Sequence, residues 1–296
     1  MIHYLQCPVC KSPSVHLSFS AKDNTVSKET FAIWACDHCT ALFTQDVPEE
    51  AGIGRYYASP DYVSHSDTQE GFVNKMYHGV RNITLASKKK LIEKETVANG
   101  KILDVGCGTG AFLNTMQTAG WQVTGIEPDP GAREKAASLY NIHPEPPGEL
   151  FHLPAGSFDA ITMWHVLEHV HKLHEYIDQL KLLLTEKGRL FIAVPNHTSG
   201  DAAKYKKDWA AFDVPRHLYH FSPKSMNILM SMHGMEVKKT KPMWFDSFYV
   251  SILSEQYKHG KGNIPGAVIS GLSSNITALF NKEKCSSVIY VIGRSN

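Results

Sequence analysis

The run LDVGCGTG, from Leu103 to Gly110, constrains the fold more than any other part of the sequence. A short apolar segment, Lys101 to Val105, leads into its three glycines, and a helical pattern follows them from Ala111 to Ala119. Glycines permit a tight turn from strand to helix and let a ligand lie against bare backbone at the helix N-terminus. The pattern therefore predicts a ligand-binding loop at the first strand of an α/β domain.

Beyond this loop, apolar strand patterns alternate with helical ones. The predicted order is strand Trp121 to Ile126, helix Pro130 to Tyr140, strand Phe158 to Met163, helix from His165 or Glu168 to Leu184, and strand Arg189 to Val194. Weaker patterns follow: helix Ser222 to His233, strand Glu236 to Lys241, helix 246–259 and strand Ser287 to Ile292. Such an alternation is typical of a parallel sheet with helices on both faces. We expect an α/β fold with a doubly wound, mostly parallel sheet.

Two carboxylates narrow the choice of ligand. Glu127 ends the next predicted strand, where a carboxylate can accept hydrogen bonds from two ribose hydroxyls. Asp104 precedes the glycines, whose G-x-G-x-G spacing differs from the G-x-G-x-x-G that usually holds a pyrophosphate. A carboxylate there repels an anion but stabilises a cation such as S-adenosylmethionine (SAM), with its amino group and sulfonium. The loop therefore favours SAM over NAD, and an NAD-binding or purely structural domain is the alternative.

Four ordered runs, LDVGCGTG, GIEPDP, SFDAITMWHVLEHV and GRLFIAVPN, resemble the motifs of class I SAM-dependent methyltransferases. The resemblance is greatest to the group that contains the ubiquinone-biosynthesis O-methyltransferases, and it covers Lys101 to Asn196 well. It implies a Rossmann-like fold and methyl transfer from SAM. It also implies the cofactor-binding residues: Asp104, Gly106, the Cys107 backbone and Gly108 at the methionine end, Glu127 at the ribose, and Trp164 and His165 beside the reactive end of the cofactor. Gly110, the last glycine of the loop, is counted with these cofactor-binding residues.

The N-terminal region carries two C-x-x-C pairs, Cys7 with Cys10 and Cys36 with Cys39. Each pair forms a tight knuckle whose thiolates can share one tetrahedral ion, so two knuckles complete a four-cysteine zinc site. Because this ligand set leaves no open position, we expect a structural zinc ion. Ordinary buried thiols are the alternative interpretation.

These features divide the chain into three predicted parts. Residues 1–45 form a small zinc ribbon, 46–97 a helical lead-in, and 98–296 the SAM-binding methyltransferase domain, with a substrate lid at about 196–221. The lead-in is predicted to be helical from Phe72 to Val97. Its run Lys88-Lys89-Lys90 is interpreted as a solvated helix face.

Histidines are the candidates for accepting the proton that methyl transfer releases, because their pKa lies near neutral pH. His165 follows a strand that opens into the crevice, and it is the first candidate. His217 and His220, which lie in the predicted lid, are the next candidates. His169 is interpreted as a helix-packing residue. Arg216 either faces the acceptor or pairs with Asp213 as a structural clamp.

The chain has 30 Lys and Arg against 29 Asp and Glu, a net charge of +1. This balance argues against broad nucleic-acid binding. Neither a signal peptide nor an apolar run long enough to span a membrane is visible, so we expect a cytoplasmic protein. The expected function is methylation of a small-molecule or biosynthetic intermediate, on oxygen. The alternatives are an RNA or protein methyltransferase that uses the zinc ribbon for recognition, and a non-catalytic SAM-binding protein.

Overall fold

The computed structural model describes residues 1–58, 72–260 and 264–295. The strands in these ranges are β1 Val15–Lys22, β2 Thr30–Cys36, β3 Leu42–Thr44, β4 Lys101–Val105, β5 Gln122–Ile126, β6 Phe158–Trp164, β7 Leu184–Pro195, β8 Tyr219–His220, β9 Met235–Pro242 and β10 Ser287–Arg294. The helices are α1 Phe72–Glu95, α2 Ala111–Thr118, α3 Pro130–Tyr140, α4 Leu173–Leu183, α5 Gly200–Tyr205, α6 Pro223–Met232, α7 Asp246–His259 and α8 Ile264–Phe280. No helix within these described ranges is long and apolar enough to cross a bilayer.

The larger sheet has the strand order β5-β4-β6-β7-β10-β9 among the described residues. β5, β4, β6 and β7 pair in parallel, whereas β10 is antiparallel to both β7 and β9. The predicted α/β fold with a mostly parallel sheet is therefore confirmed. The chain passes from β4 to β5 on one side and then to β6 on the other. In sheets of this kind ligands bind at the carboxyl ends of the strands where the winding direction reverses, which here is the end of β4.

Several predicted elements occur with nearly the predicted bounds. The first strand spans Lys101–Val105, as its apolar pattern indicated. Asp129 caps α3, because its side chain accepts hydrogen bonds from the backbone N–H groups of Gly131 and Ala132. Ser222 caps α6 in the same way, and Pro223 occupies the first helical position.

The predicted beginning of the helix at His165 or Glu168 is wrong. β6 ends at Trp164, and a 3₁₀ turn covers Leu167–His169 before α4 begins at Leu173. His165 has a φ of 59°, a left-handed backbone conformation that a helix does not continue. The predicted end at Leu184 is one residue beyond the observed end at Leu183, and Leu184 is the first residue of β7, where it pairs with Phe158.

The smaller sheet joins the predicted zinc ribbon to the predicted lid. β1, β2 and β3 form an antiparallel meander, and β3 continues the sheet onto β8. Leu42 pairs with His220 and Phe43 with Tyr219, and the Phe43 side chain is fully buried. The Thr40 and Ser222 hydroxyls also hydrogen-bond at 2.8 Å. The cysteine-bearing segment and the predicted lid therefore form one sheet.

Arg216 is buried beneath this sheet, with an exposed fraction of 0%. Its guanidinium donates to both carboxylate oxygens of Asp213, at 2.5 and 3.0 Å, and to Asp23 at 3.0 Å. It also donates to the carbonyl oxygen of Tyr56 at 2.7 Å. The clamp interpretation of Arg216 is confirmed, and the clamp extends to Asp23 in the turn between β1 and β2.

The helical lead-in is present as α1, which covers Phe72–Glu95. The earlier part of that predicted segment, 59–71, lies outside the described residues. The C-terminal strand β10 is fully integrated into the larger sheet, between β7 and β9. The end of the chain is therefore part of the core of the methyltransferase-like domain.

Candidate SAM-binding and acceptor site

The glycine loop turns from β4 into α2 through left-handed backbone conformations. Gly106, Gly108 and Gly110 have φ angles of 73°, 54° and 79°, which glycine adopts without strain. A Cβ atom on Gly106 would clash with the side chain of Val166, whereas one on Gly108 would meet no atom within 4 Å. Gly106 thus permits close packing of the loop, and Gly108 faces open space in which a ligand can lie.

Glu127 lies at the end of β5 beside this loop and is only 7% exposed. Its Oε2 accepts a hydrogen bond from the Gly108 N–H at 2.8 Å, and its Oε1 accepts one from the Asp129 N–H at 2.9 Å. Burial raises the pKa of Glu127, and these two hydrogen bonds oppose the rise. The carboxylate is therefore fixed against the glycine loop.

Asp104 is buried under the loop, where it accepts a 2.5 Å hydrogen bond from the Thr162 hydroxyl. Burial raises the pKa of Asp104, while the Thr162 hydrogen bond and the charge of Lys88 act in the opposite direction. A buried carboxylate in this position favours a cationic ligand. Asp104 is the residue predicted to face the methionine end of SAM.

Lys88 is a residue of this crevice that the sequence did not reveal. Its ammonium lies 4.2 Å from the centre of the Trp164 ring, a cation–π arrangement. Burial lowers the pKa of Lys88, and the nearby carboxylates of Asp104 and Asp246 oppose that change. The interpretation of Lys88 as part of a solvated face is therefore wrong. The side chain reaches the crevice from α1, a contact that local helical periodicity does not show.

His165 lies at the carboxyl end of β6 between two carboxylates. Its Nε2 donates to Asp246 Oδ2 at 2.8 Å, and its Nδ1 lies 3.5 Å from Glu168 Oε1. Burial alone would lower the pKa of His165, but the charges and hydrogen bonds of Asp246 and Glu168 raise it to about 10. His165 therefore carries a positive charge at neutral pH. Its partner Asp246 is the first residue of α7, and nothing in the sequence indicated that pairing.

The two lid histidines have different surroundings. His217 is 8% exposed, donates from Nδ1 to the carbonyl of Ala211 at 2.8 Å, and lies against His169 with ring centres 4.6 Å apart. His220 is 4% exposed, and its Nε2 lies 3.2 Å from the hydroxyl of Thr44 in β3. His217 thus belongs to the group of residues around Glu168, whereas His220 contacts the N-terminal sheet.

His169 does not lie on a helix, as the packing interpretation assumed, but in the 3₁₀ turn. Its Nδ1 is 3.0 Å from both the Arg216 carbonyl oxygen and the Tyr57 hydroxyl. Burial lowers its pKa to about 4, and the neighbouring His217 adds to this effect. His169 is therefore neutral at neutral pH.

The four N-terminal cysteines come together, as their spacing predicted. Their four Sγ atoms all lie within 4.8 Å of one another. The Sγ atoms of Cys7 and Cys39 are 3.6 Å apart, and those of Cys10 and Cys36 are 3.5 Å apart. Four sulfurs that are each about 2.3 Å from one zinc ion lie about 3.8 Å apart. The donor set and its size therefore fit a tetrahedral zinc ion.

Sequence comparison relates this chain to methyltransferases. A family model described as a methyltransferase domain matches residues 78–240. The ubiquinone biosynthesis O-methyltransferase of Xanthomonas axonopodis is 28% identical over 50% of this chain and 68% of its own length. The mitochondrial ubiquinone biosynthesis O-methyltransferase of Schizosaccharomyces pombe is 29% identical over 36% of this chain, but the alignment spans only 42% of that protein. The demethylmenaquinone methyltransferase of Tropheryma whipplei is 30% identical over 40% of this chain and 52% of its own length.

Solved structures show the same fold. A SAM-dependent methyltransferase from Archaeoglobus fulgidus superposes with a TM-score of 0.50 at 15% identity, over 76% of this chain and 100% of that one. Magnesium protoporphyrin IX methyltransferase from Synechocystis, with bound SAH, has a TM-score of 0.51 at 17% identity, over 82% of this chain and 92% of that one. Together with the matched domain and the glycine loop, these likenesses show that the chain belongs to the family of SAM-dependent methyltransferases.

Proposed function

We propose that this enzyme transfers the methyl group of SAM to a hydroxyl oxygen of a small biosynthetic intermediate. The observation that carries this proposal is the match to ubiquinone biosynthesis O-methyltransferases across the crevice-forming part of the chain. In such a reaction, the acceptor oxygen attacks the methyl carbon and the carbon–sulfur bond breaks. Sulfur keeps the electron pair, so SAM becomes S-adenosylhomocysteine, and the hydroxyl proton leaves to water or to a neighbouring group.

In this proposal SAM lies along the glycine loop. Asp104 faces its amino group and sulfonium, and Glu127 accepts hydrogen bonds from the ribose hydroxyls. Cys107 contributes its backbone between Gly106 and Gly108, and Gly110 completes the turn into α2. Positive φ at the glycines and the open space beside Gly108 support this placement.

The acceptor side is formed by the residues at the carboxyl end of β6 and by the predicted lid. Trp164 and His165 stand beside the reactive methyl group, with His165 fixed by Asp246. His217 and His220 approach from the lid. Transfer needs the acceptor oxygen about 3 Å from the methyl carbon, so the main task of these side chains is positioning.

We further propose that Cys7, Cys10, Cys36 and Cys39 hold one structural zinc ion. A closed four-cysteine set offers no coordination position for a substrate. The ribbon also uses its edge strand and Asp23 for contacts within the molecule. These contacts favour a structural role for the ribbon, and hence a small acceptor, over recognition of RNA or protein.

The proposal is tested by incubating the full-length protein with methyl-labelled SAM and separated fractions of metabolites, RNA and protein. We expect the label in the metabolite fraction, and mass spectrometry of the product should show a methyl ether. Label in the RNA or protein fraction would support the macromolecular alternative instead. SAM binding without transfer to any fraction would indicate a non-catalytic SAM-binding protein.

A further inference from the structure

Helix α8 packs beside α7, and its polarity is the reverse of that of an ordinary surface helix. A surface helix normally buries its apolar stripe and exposes its polar face. The inner side of α8 is instead lined by small residues that are at most 3% exposed, namely Ala267, Ser270, Ser274 and Ala278. Its outer side carries large apolar residues that are 46–90% exposed, namely Val268, Ile269, Leu272, Ile276, Leu279 and Phe280. Among the described residues, the apolar side of α8 is therefore left uncovered.

Specific contacts fix the inner side of α8 against the protein. The Ser274 hydroxyl donates to the buried carboxylate of Asp201 at 2.8 Å. A Cβ atom on Gly271 would lie 2.7 Å from the Phe248 side chain of α7, so the two helices touch at this glycine. Rotating α8 to bury its apolar residues would break both contacts. The outward orientation of the apolar side is therefore built into the packing of the helix.

Two residues of the neighbouring helix segment extend this apolar surface. Phe245 and Ile252 are each 39% exposed, and they lie about one turn on either side of Phe248, which contacts α8. Because side chains three and four residues apart share one side of a helix, both lie beside α8. We call these two residues and the six apolar residues of α8 the α7–α8 patch. At roughly 100 Å² of apolar surface per side chain, the patch offers about 800 Å², which is what one partner contributes to a standard protein–protein interface.

The sequence of the patch indicates what covers it. Ile269, Leu272, Ile276 and Leu279 follow one another at spacings of three, four and three residues, as in the seam of a coiled coil. Isoleucine at the first position of such a seam and leucine at the fourth favour two parallel helices. α8 contains no charged residue, so two copies related by a two-fold axis meet no like charge across the seam. A helix that binds a membrane surface has basic residues on its polar face, whereas the polar side of α8 is uncharged and buried.

We propose that the α7–α8 patch is a homodimer interface, in which α8 pairs in parallel with α8 of a second copy of this chain. The four seam residues meet their counterparts across the two-fold axis, and Phe245 and Ile252 lie beside the seam. α7 begins at Asp246, whose carboxylate is hydrogen-bonded to His165. The interface is therefore on the helix pair that also supports the candidate acceptor site. Dimerisation itself does not depend on the proposed methyl transfer.

Sedimentation-velocity ultracentrifugation of the full-length protein tests its oligomeric state. We expect a species with twice the 33.0 kDa mass of the chain in the micromolar range. Leu272→Glu brings two like charges together in the seam and should raise the dissociation constant of the dimer at least about a hundredfold. Leu182→Glu is the matched control, because Leu182 on α4 is 53% exposed, as Leu272 is, and this variant should remain dimeric. Since both positions are exposed, circular dichroism should show the wild-type fold in both variants.

Disulfide trapping tests which residues face the second copy. Leu272→Cys should cross-link two chains under mild oxidation, whereas Thr277→Cys, which is exposed but outside the seam, should not. Equal cross-linking of both variants would contradict the seam. A wild type that is monomeric throughout the micromolar range, or a dimer that Leu272→Glu leaves intact, would overturn the proposal. So would a monomer whose binding to phosphatidylglycerol vesicles is lost in Leu272→Glu, since the patch would then be a lipid-binding surface.

Discussion

In the proposed SAM complex, the carboxylate of Glu127 has two functions. Each of its oxygens accepts one backbone hydrogen bond, from Gly108 and from Asp129. A carboxylate has about four lone-pair sites, so two remain for the hydroxyls of a ribose. The side chain therefore orders the glycine loop before the cofactor arrives and can then hold the cofactor without moving. Such preorganisation increases affinity because little conformational entropy is lost on binding.

Replacing Glu127 with Ala should lower SAM affinity at least tenfold, or about 1.4 kcal/mol of binding free energy. The change removes both ribose acceptors and two hydrogen bonds of the loop. Isothermal titration calorimetry measures the affinity, and Glu134→Ala, an exposed acid on α3, serves as the control. If the Glu127→Ala protein binds SAM as tightly as the wild type, the ribose assignment is wrong.

Replacing Arg216 with Met should destabilise the protein by about 3–5 kcal/mol, because Asp23 and Asp213 are left without their buried partner. Urea unfolding followed by circular dichroism gives the free-energy difference. The control is Arg55→Met, since the Arg55 side chain is 67% exposed and its ion pair with Glu29 is long. That change should leave the free energy of unfolding nearly unchanged, because an exposed ion pair contributes little. Equal effects of both substitutions would contradict the clamp.

At the scale of elements, local patterns predicted the strands and most helices, because periodicity and capping residues act over a few positions. Lys101–Val105 and the caps Asp129 and Ser222 are examples. The turn after β6 was predicted incorrectly because its conformation depends on distant partners. His165 is paired with Asp246 of α7. A one-dimensional pattern contains no information on such pairs.

The same limit applies to the candidate site. Asp104, Glu127 and the glycines were predicted as site residues because two consecutive motifs, LDVGCGTG and GIEPDP, contain them. The crevice position of Lys88 was missed because it depends on how α1 packs against Trp164. The clustering of the four cysteines, which are distant in sequence, could be predicted only because zinc ligands repeat a recognisable spacing.

The ribbon should release one zinc ion per chain when its thiols are titrated with a mercurial reagent. Mercury is a soft metal that replaces zinc at thiolates, so the release reports on the cysteines. A colorimetric chelator measures the zinc set free. Cys36→Ser should abolish this release, whereas Cys285→Ser, a buried thiol outside the cluster, should leave it intact. No release from the wild type would remove the zinc assignment of the ribbon.

At the scale of the whole molecule, the smaller sheet contains strands from both the predicted ribbon and the predicted catalytic domain. β3 from the ribbon and β8 from the lid are neighbours, and Arg216 binds residues on both sides. The group around Glu168 lies next to this junction, because His217 directly follows Arg216. Ordering of the ribbon and placement of the lid histidines are therefore physically linked.

This linkage predicts that the protein unfolds in a single cooperative transition. Phe43→Ala removes a fully buried ring from β3 and should destabilise the molecule by about 3–5 kcal/mol. In a chain of this size, that loss lowers the melting temperature by roughly 5–8 °C. Differential scanning calorimetry should show the whole transition shifting, whereas Leu5→Ala, at a ribbon side chain that is 85% exposed, should leave it in place. Two separate transitions, with Phe43→Ala moving only the smaller one, would show that the ribbon folds independently of the catalytic domain.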